Sequence, residues 1–123
     1  MNEKYISLQI PIQVISEANT HEHWRKSHLR HKNQKYAVRI SLLSSRVIQK
    51  LPVTITMTRL SHRFLDSDNL QMAFKYVRDA IAEHFITDKA PGRADDHPGF
   101  VWNYDQKKSK EKGIELSFHW DNQ

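Results

Sequence analysis

Apolar and polar residues alternate from Tyr5 to Val14, with Ile6, Leu8, Ile10, Ile12 and Val14 on one side and Ser7, Gln9 and Gln13 on the other. A period of two is that of a strand with one buried face. From about Glu22 to Ile48 the period lengthens. Trp24, Leu29, Tyr36, Ile40, Leu43 and Val47 punctuate a run of basic residues, which predicts a helix with Asn19 or Thr20 as its cap. The alternative for the part through Asn33 is a mobile loop. Pro52 opens a second strand, Val53 to Leu60, in which Val53, Ile55 and Met57 alternate with Thr54, Thr56 and Thr58.

The next element is the most regular. Leu70, Ala73, Phe74, Val77, Ala80, Ile81, His84 and Phe85 recur at spacings of three and four. This predicts one amphipathic helix, with Gln71, Lys75, Arg78, Asp79 and Glu83 on its wet side and Lys75 one turn before Asp79. Thr87 to Gly99 holds two prolines, two glycines and five charges and reads as a loop that returns Asp95 and Asp96 toward the sheet. Phe100, Trp102 and Tyr104 alternate in a third strand, and Ile114, Leu116, Phe118 and Trp120 in a fourth. The hydrophilic run Asp105 to Gly113 between them predicts a basic hairpin loop. The order β-α-β-α-β-β predicts an α+β fold, a small mixed β-sheet packed with two helices.

With 123 residues and 38% apolar content, residues 1–123 are expected to form a single domain around one core. There is no cysteine, which excludes a disulfide framework and a thiolate zinc site. The start, Met1-Asn2-Glu3-Lys4-Tyr5, lacks the basic and apolar regions of a signal peptide, and no apolar run approaches the roughly 20 residues that span a bilayer. The expectation is a soluble, cytoplasmic protein without membrane contact.

Charge changes the picture more. The net charge is +5, and residues 21–50 carry eight Lys or Arg, four His and a single acid, Glu22. Half of the 14 acids lie instead between Asp66 and Asp96. A basic face beside an acidic pocket suits a protein that grips phosphates broadly and presents one of them to a metal ion.

The acids concentrate meaning at Phe64-Leu65-Asp66-Ser67-Asp68-Asn69-Leu70, where an apolar strand gives way to a helix. Two carboxylates so close repel one another unless a cation lies between them. Mg²⁺ prefers carboxylate oxygen and keeps open positions for water and phosphate. Asp95-Asp96 supplies a further ligand. The plainer reading is that Asp66, Ser67 or Asp68 caps the helix and does nothing more.

These residues resemble the RusA Holliday junction endonucleases of phage and prophage origin, whose signature is Asp-x-Asp-Asn opening a helix with an Asp-Asp pair after it; the likeness covers most of the chain in order and length. The resemblance implies a RusA-like homodimer that binds branched DNA and nicks four-way junctions with Mg²⁺, or Mn²⁺ in its place, and needs no small-molecule cofactor. It implies that Asp66, Asp68 and Asp96 hold the metal, with Asp95 as a further ligand, and that Asn69 is the signature asparagine. Lys75 would offer a point charge to the scissile phosphate or orient the attacking water. The family's helix lysine falls three residues after the asparagine, where this chain has Met72. Lys75 restores the match if one helical turn is inserted, since three residues rotate a side chain by only about 60°. Contact with DNA is expected from Trp24, Arg25, Lys26, Arg30, Lys32, Lys35, Arg63 and Asn69, and from Lys107 and Lys108.

Two other readings stand beside this one. The same fold could bind branched DNA without cutting it. Alternatively His21-x-His23 with His28 and His31 could gather zinc, although these histidines need do no more than face phosphate. Trp102 and Trp120 occupy core phases of their strands, and Trp24 is the tryptophan placed for stacking on a base or sugar.

Overall fold

The computed structural model describes residues 3–16, 23–88 and 93–121. The chain runs β1 (Glu3–Ile10), α1 (Trp24–Ser44), β2 (Val53–Ser61), α2 (Ser67–Ala73), α3 (Lys75–Phe85), a 3₁₀ turn at Ala94–Asp96, β3 (Phe100–Lys108) and β4 (Gly113–Asp121). This is an α+β arrangement with three helices and a four-stranded mixed sheet.

The sheet order is β1-β4-β2-β3, with β2 and β3 parallel and the other two pairs antiparallel. The expected hairpin is therefore not one: β2 lies between β3 and β4. β3 continues to Lys108, so Lys107 and Lys108 are strand residues, and residues 109–112 cross the end of β2, where the Ser109 N–H donates to the Ser61 carbonyl at 3.0 Å. Strands two apart are separated by about 10 Å, a span that four extended residues cover. Alternation reports which face of a strand is buried and carries no information on its neighbours.

β1 ends at Ile10, short of the expected Val14. Pro11 has no N–H for the ladder, and the chain turns there, with the Ile12 N–H donating back to the Ile10 carbonyl at 2.8 Å. Val14 is still buried, but off the sheet. Gly113 opens β4 beside this turn because a side chain there would meet the Ile10 carbonyl oxygen at 3.0 Å.

α1 is one continuous helix from Trp24, so residues 24–33 are not a loop. Its cap is His23, whose ring nitrogen accepts from the Arg25 N–H at 3.1 Å; Asn19 and Thr20 lie outside the described residues. It ends with Arg46 at φ 54°, while the Val47 N–H reaches the Leu42 carbonyl at 3.1 Å. The face of α1 on the core is Gln34, Val38 and Leu42. Leu29, Tyr36, Ile40 and Leu43, the apolar residues that punctuate the basic run, are exposed on the opposite side.

The predicted single helix after β2 is two. Phe74, fully buried, breaks it: its N–H bonds to the Gln71 carbonyl, three residues back, and its own carbonyl receives the Arg78 N–H that starts α3. Burial of Leu70, Ala73, Phe74, Val77, Ala80, Ile81 and Phe85 follows the predicted pattern, because a break of one residue leaves the apolar stripe in phase. Val38, Leu42, Val77, Ile81 and Phe85 pack in one core with Ile55, Met57, Leu116 and Phe118 from the sheet. The other sheet face remains open, with Tyr5, Ser7, Val101 and Asn103 exposed. Among the described residues no helix is long and apolar enough to cross a membrane.

Candidate nucleic-acid and metal site

Residues 62–65 lead from the end of β2 to the Asp66-Ser67-Asp68-Asn69 run, and Asp66 is the N-cap of α2. One carboxylate oxygen of Asp66 accepts from the Asn69 backbone N–H at 2.9 Å and the other from the Asn69 side-chain amide at 3.2 Å. The side-chain oxygen of Asn69 in turn accepts from the Ser16 hydroxyl at 2.7 Å. The signature asparagine thus ties the cap to the segment after β1. Asp68 is exposed in the first turn, at the positive end of the helix.

Arg59 supports this turn from within. It continues the buried phase of Val53, Ile55 and Met57 along β2, and donates to the carbonyls of Val14 at 3.2 Å and Arg63 at 2.6 Å. Burial pulls its pKa below the ordinary guanidinium value. An arginine on the apolar phase of a strand is the signal that could have found it. Arg63 itself is exposed, and Leu65 is fixed by two hydrogen bonds of 2.8 Å to the Gln106 side chain on β3.

Between α1 and the α2–α3 pair lies an open groove of about 990 Å³, lined by His28, Lys32, Lys35, Met72, Lys75, Asp79 and Asp95, among others. Lys75 is the first residue of α3, so its direction does not follow from Met72 by rotation along one continuous helix; both side chains nevertheless reach the groove. Lys35 is paired with Glu83 at 2.8 Å, which leaves Lys32 and Lys75 as the more available cations. His31 stacks on Tyr76, with ring centres 3.7 Å apart.

Asp95 sits half-buried at the 3₁₀ turn, accepting from Arg78 at 2.9 Å; Arg78 also donates to the Tyr104 hydroxyl at 2.8 Å and lies over the Trp102 ring. Burial lowers the Arg78 pKa, but Tyr104 and Asp95 outweigh it and the net direction is upward. Asp95 also faces Asp79. Burial first, and then the Asp95 charge, hold the Asp79 carboxyl above the ordinary range, against the pull of Lys35 and Lys75. The sequence pattern places Asp79 only on the wet side of a helix; nothing local announces that residue 95 will lie opposite it. Asp96, next in the chain, is exposed.

The carboxylates therefore form two groups, Asp66 with Asp68 at the head of α2, and Asp79 with Asp95 in the groove. Among the described residues no three Asp, Glu or His side chains converge as a set that could hold a metal ion, which applies to the expected aspartates and to His23, His28 and His31 alike. His21 lies outside the described residues. The donor type fits Mg²⁺, which takes one or two carboxylates and completes its shell with water and phosphate.

The remaining expected DNA contacts spread along two surfaces. Trp24, Arg25 and Lys26 are exposed at the start of α1, with Arg25 over the Trp24 ring. Arg30 is half-buried beside His31. Lys107 lies 3.6 Å from Glu115, and Lys108 over the Phe64 ring, at the far end of β3. No protein-family model matches the chain, and no curated protein matches it in sequence.

Proposed function

We propose that this protein is a Mg²⁺-dependent, structure-selective endonuclease of the RusA type that acts on four-way DNA junctions as a homodimer. The observation that carries this reading is the Asp66-Ser67-Asp68-Asn69 turn at the head of α2, a helix whose Gln71 and Met72 line a groove together with Lys32, Lys75, Asp79 and Asp95. Carboxylates for a hard cation and lysines for phosphate are the two requirements of phosphodiester hydrolysis.

Asp68 would hold the ion with Asp66, and Asp95 and Asp96 are the further candidates. When bound, Mg²⁺ supplies a water of lowered pKa and neutralises charge on the phosphate oxygens. The chain's own residues do the rest. Lys75 and Lys32 draw the DNA backbone into the groove, and Asn69 fixes the orientation of the Asp66 carboxylate.

One observation favours a second reading, a binding module that keeps the fold without cutting: Asp66 has both oxygens occupied by Asn69. Incubation with a labelled four-way junction and a matched linear duplex, with Mg²⁺ or chelator, separates the two. Paired Mg²⁺-dependent nicks that disappear in Asp68→Asn support the nuclease. Junction binding without nicks supports the module, and absence of both rejects the two together.

A further inference from the structure

The exposed side of α1 carries an apolar pattern that the fold does not use. Leu29, Asn33, Tyr36, Ile40 and Leu43 follow one another at intervals of four, three, four and three, the spacing of a coiled-coil seam. All five are exposed, Tyr36 by 65% and Leu43 by 59%, and they lie opposite the core-facing Gln34, Val38 and Leu42. A single polar residue within such a seam, here Asn33, is a device that fixes register.

Charge identifies the occupant. Lys32 and Arg39 flank the seam, Arg39 55% exposed although 3.6 Å from Glu83, and α1 contains no acidic residue. A second copy of α1 would bring only further cations in either orientation. A DNA backbone would answer the charges but would leave Leu29, Ile40 and Leu43 without apolar contact. Beside the Leu29 end lies a separate groove of about 390 Å³, lined by Ile12, Gln13, Leu29, Asn33 and Gln34, among others. There the buried side-chain oxygen of Gln34, a residue only 3% exposed, has no hydrogen-bond partner among the described residues. That oxygen is shielded from the surface, so a docked helix does not reach it, but Lys26 and Arg30 line the same groove and extend the basic character of α1 to this end of the seam.

We infer that the outer face of α1 docks an amphipathic helix of another protein, with an apolar seam and acidic flanks. Helix association of this kind is set by seam packing, with flanking charges choosing the partner. The surface shares Lys32 with the groove between α1 and α3, but its apolar seam does not depend on whether that groove cuts DNA.

The test uses the whole protein and three labelled synthetic 21-residue helical peptides: Leu seam with Glu flanks, Leu seam with Lys flanks, and Ser seam with Glu flanks. Fluorescence anisotropy should show the first binding at least about tenfold more tightly than either of the others. Ile40→Glu should remove that preference, and Leu43→Ser should weaken it, with circular dichroism unchanged because both positions are exposed. Equal binding of the Ser-seam peptide would reduce the effect to bulk charge and overturn the proposal. So would no binding, or sedimentation showing self-association that Ile40→Glu abolishes, which would assign the seam to a second copy. Loss of four-way junction binding in Ile40→Glu and Leu43→Ser, without loss of peptide binding, would assign it to nucleic acid.

Discussion

Ser16 and Asn69, 53 positions apart in sequence, are joined by a 2.7 Å hydrogen bond, and the same asparagine holds both oxygens of Asp66. A residue after β1 thus stabilises the cap of α2. Ser16 is buried, so Ser16→Ala should leave the Asn69 oxygen without its donor and cost about 1 kcal/mol. A urea midpoint unchanged from wild type would show that the bond contributes nothing.

Asp66 has a structural role and a proposed chemical one, and two substitutions separate them. Asparagine caps a helix about as well as aspartate, whereas alanine loses about 1 kcal/mol. Asp66→Asn should therefore keep wild-type stability and lose Mg²⁺-dependent cutting, while Asp66→Ala should lose both. Junction cleavage at the wild-type rate by Asp66→Asn would remove Asp66 from the metal site.

Asp79 should make stability depend on pH. Its carboxyl is held above the ordinary range, by burial first and by Asp95 second, so the folded protein keeps a proton that the unfolded chain releases near pH 4. Over that interval the unfolded state binds fewer protons, and stability falls as pH rises toward the folded value. Asp79→Asn removes this term. Urea titrations from about pH 3.5 to 7 should show the variant gaining on wild type as pH rises; a constant difference would contradict the assignment.

Arg46 occupies the left-handed position that ends α1, at φ 54°. Glycine adopts that conformation without the clash of a Cβ, and Arg46→Gly should stabilise the fold by about 0.5–1 kcal/mol. Thermal unfolding of the two proteins compares them directly, and a lower midpoint in the variant would indicate that the Arg46 side chain does more than end a helix.

Much of this molecule is written in its periodicities. Alternation at Val53, Ile55 and Met57 and at Ile114, Leu116 and Phe118, and the three-four spacing from Leu70 to Phe85, are local steric and hydrophobic facts, and the fold buries those residues. The Asp66-to-Asn69 turn was equally legible, because a cap is made by residues three apart. The apolar residues of α1 misled: Leu29, Tyr36, Ile40 and Leu43 face away from the core, and Gln34, which no hydropathy pattern selects, faces it.

What the sequence by itself determined is the class of most elements, the phase of the buried face in the strands and in the stripe from Leu70 to Phe85, and the segregation of basic from acidic residues. Only the tertiary structure decided that β2 separates β3 from β4, that Asp79 meets Asp95, and that Ser16 reaches Asn69. Periodicity is enforced by the backbone between neighbours a few residues apart. Strand order and the meeting of distant side chains are set by how the whole core closes, and no local pattern encodes them.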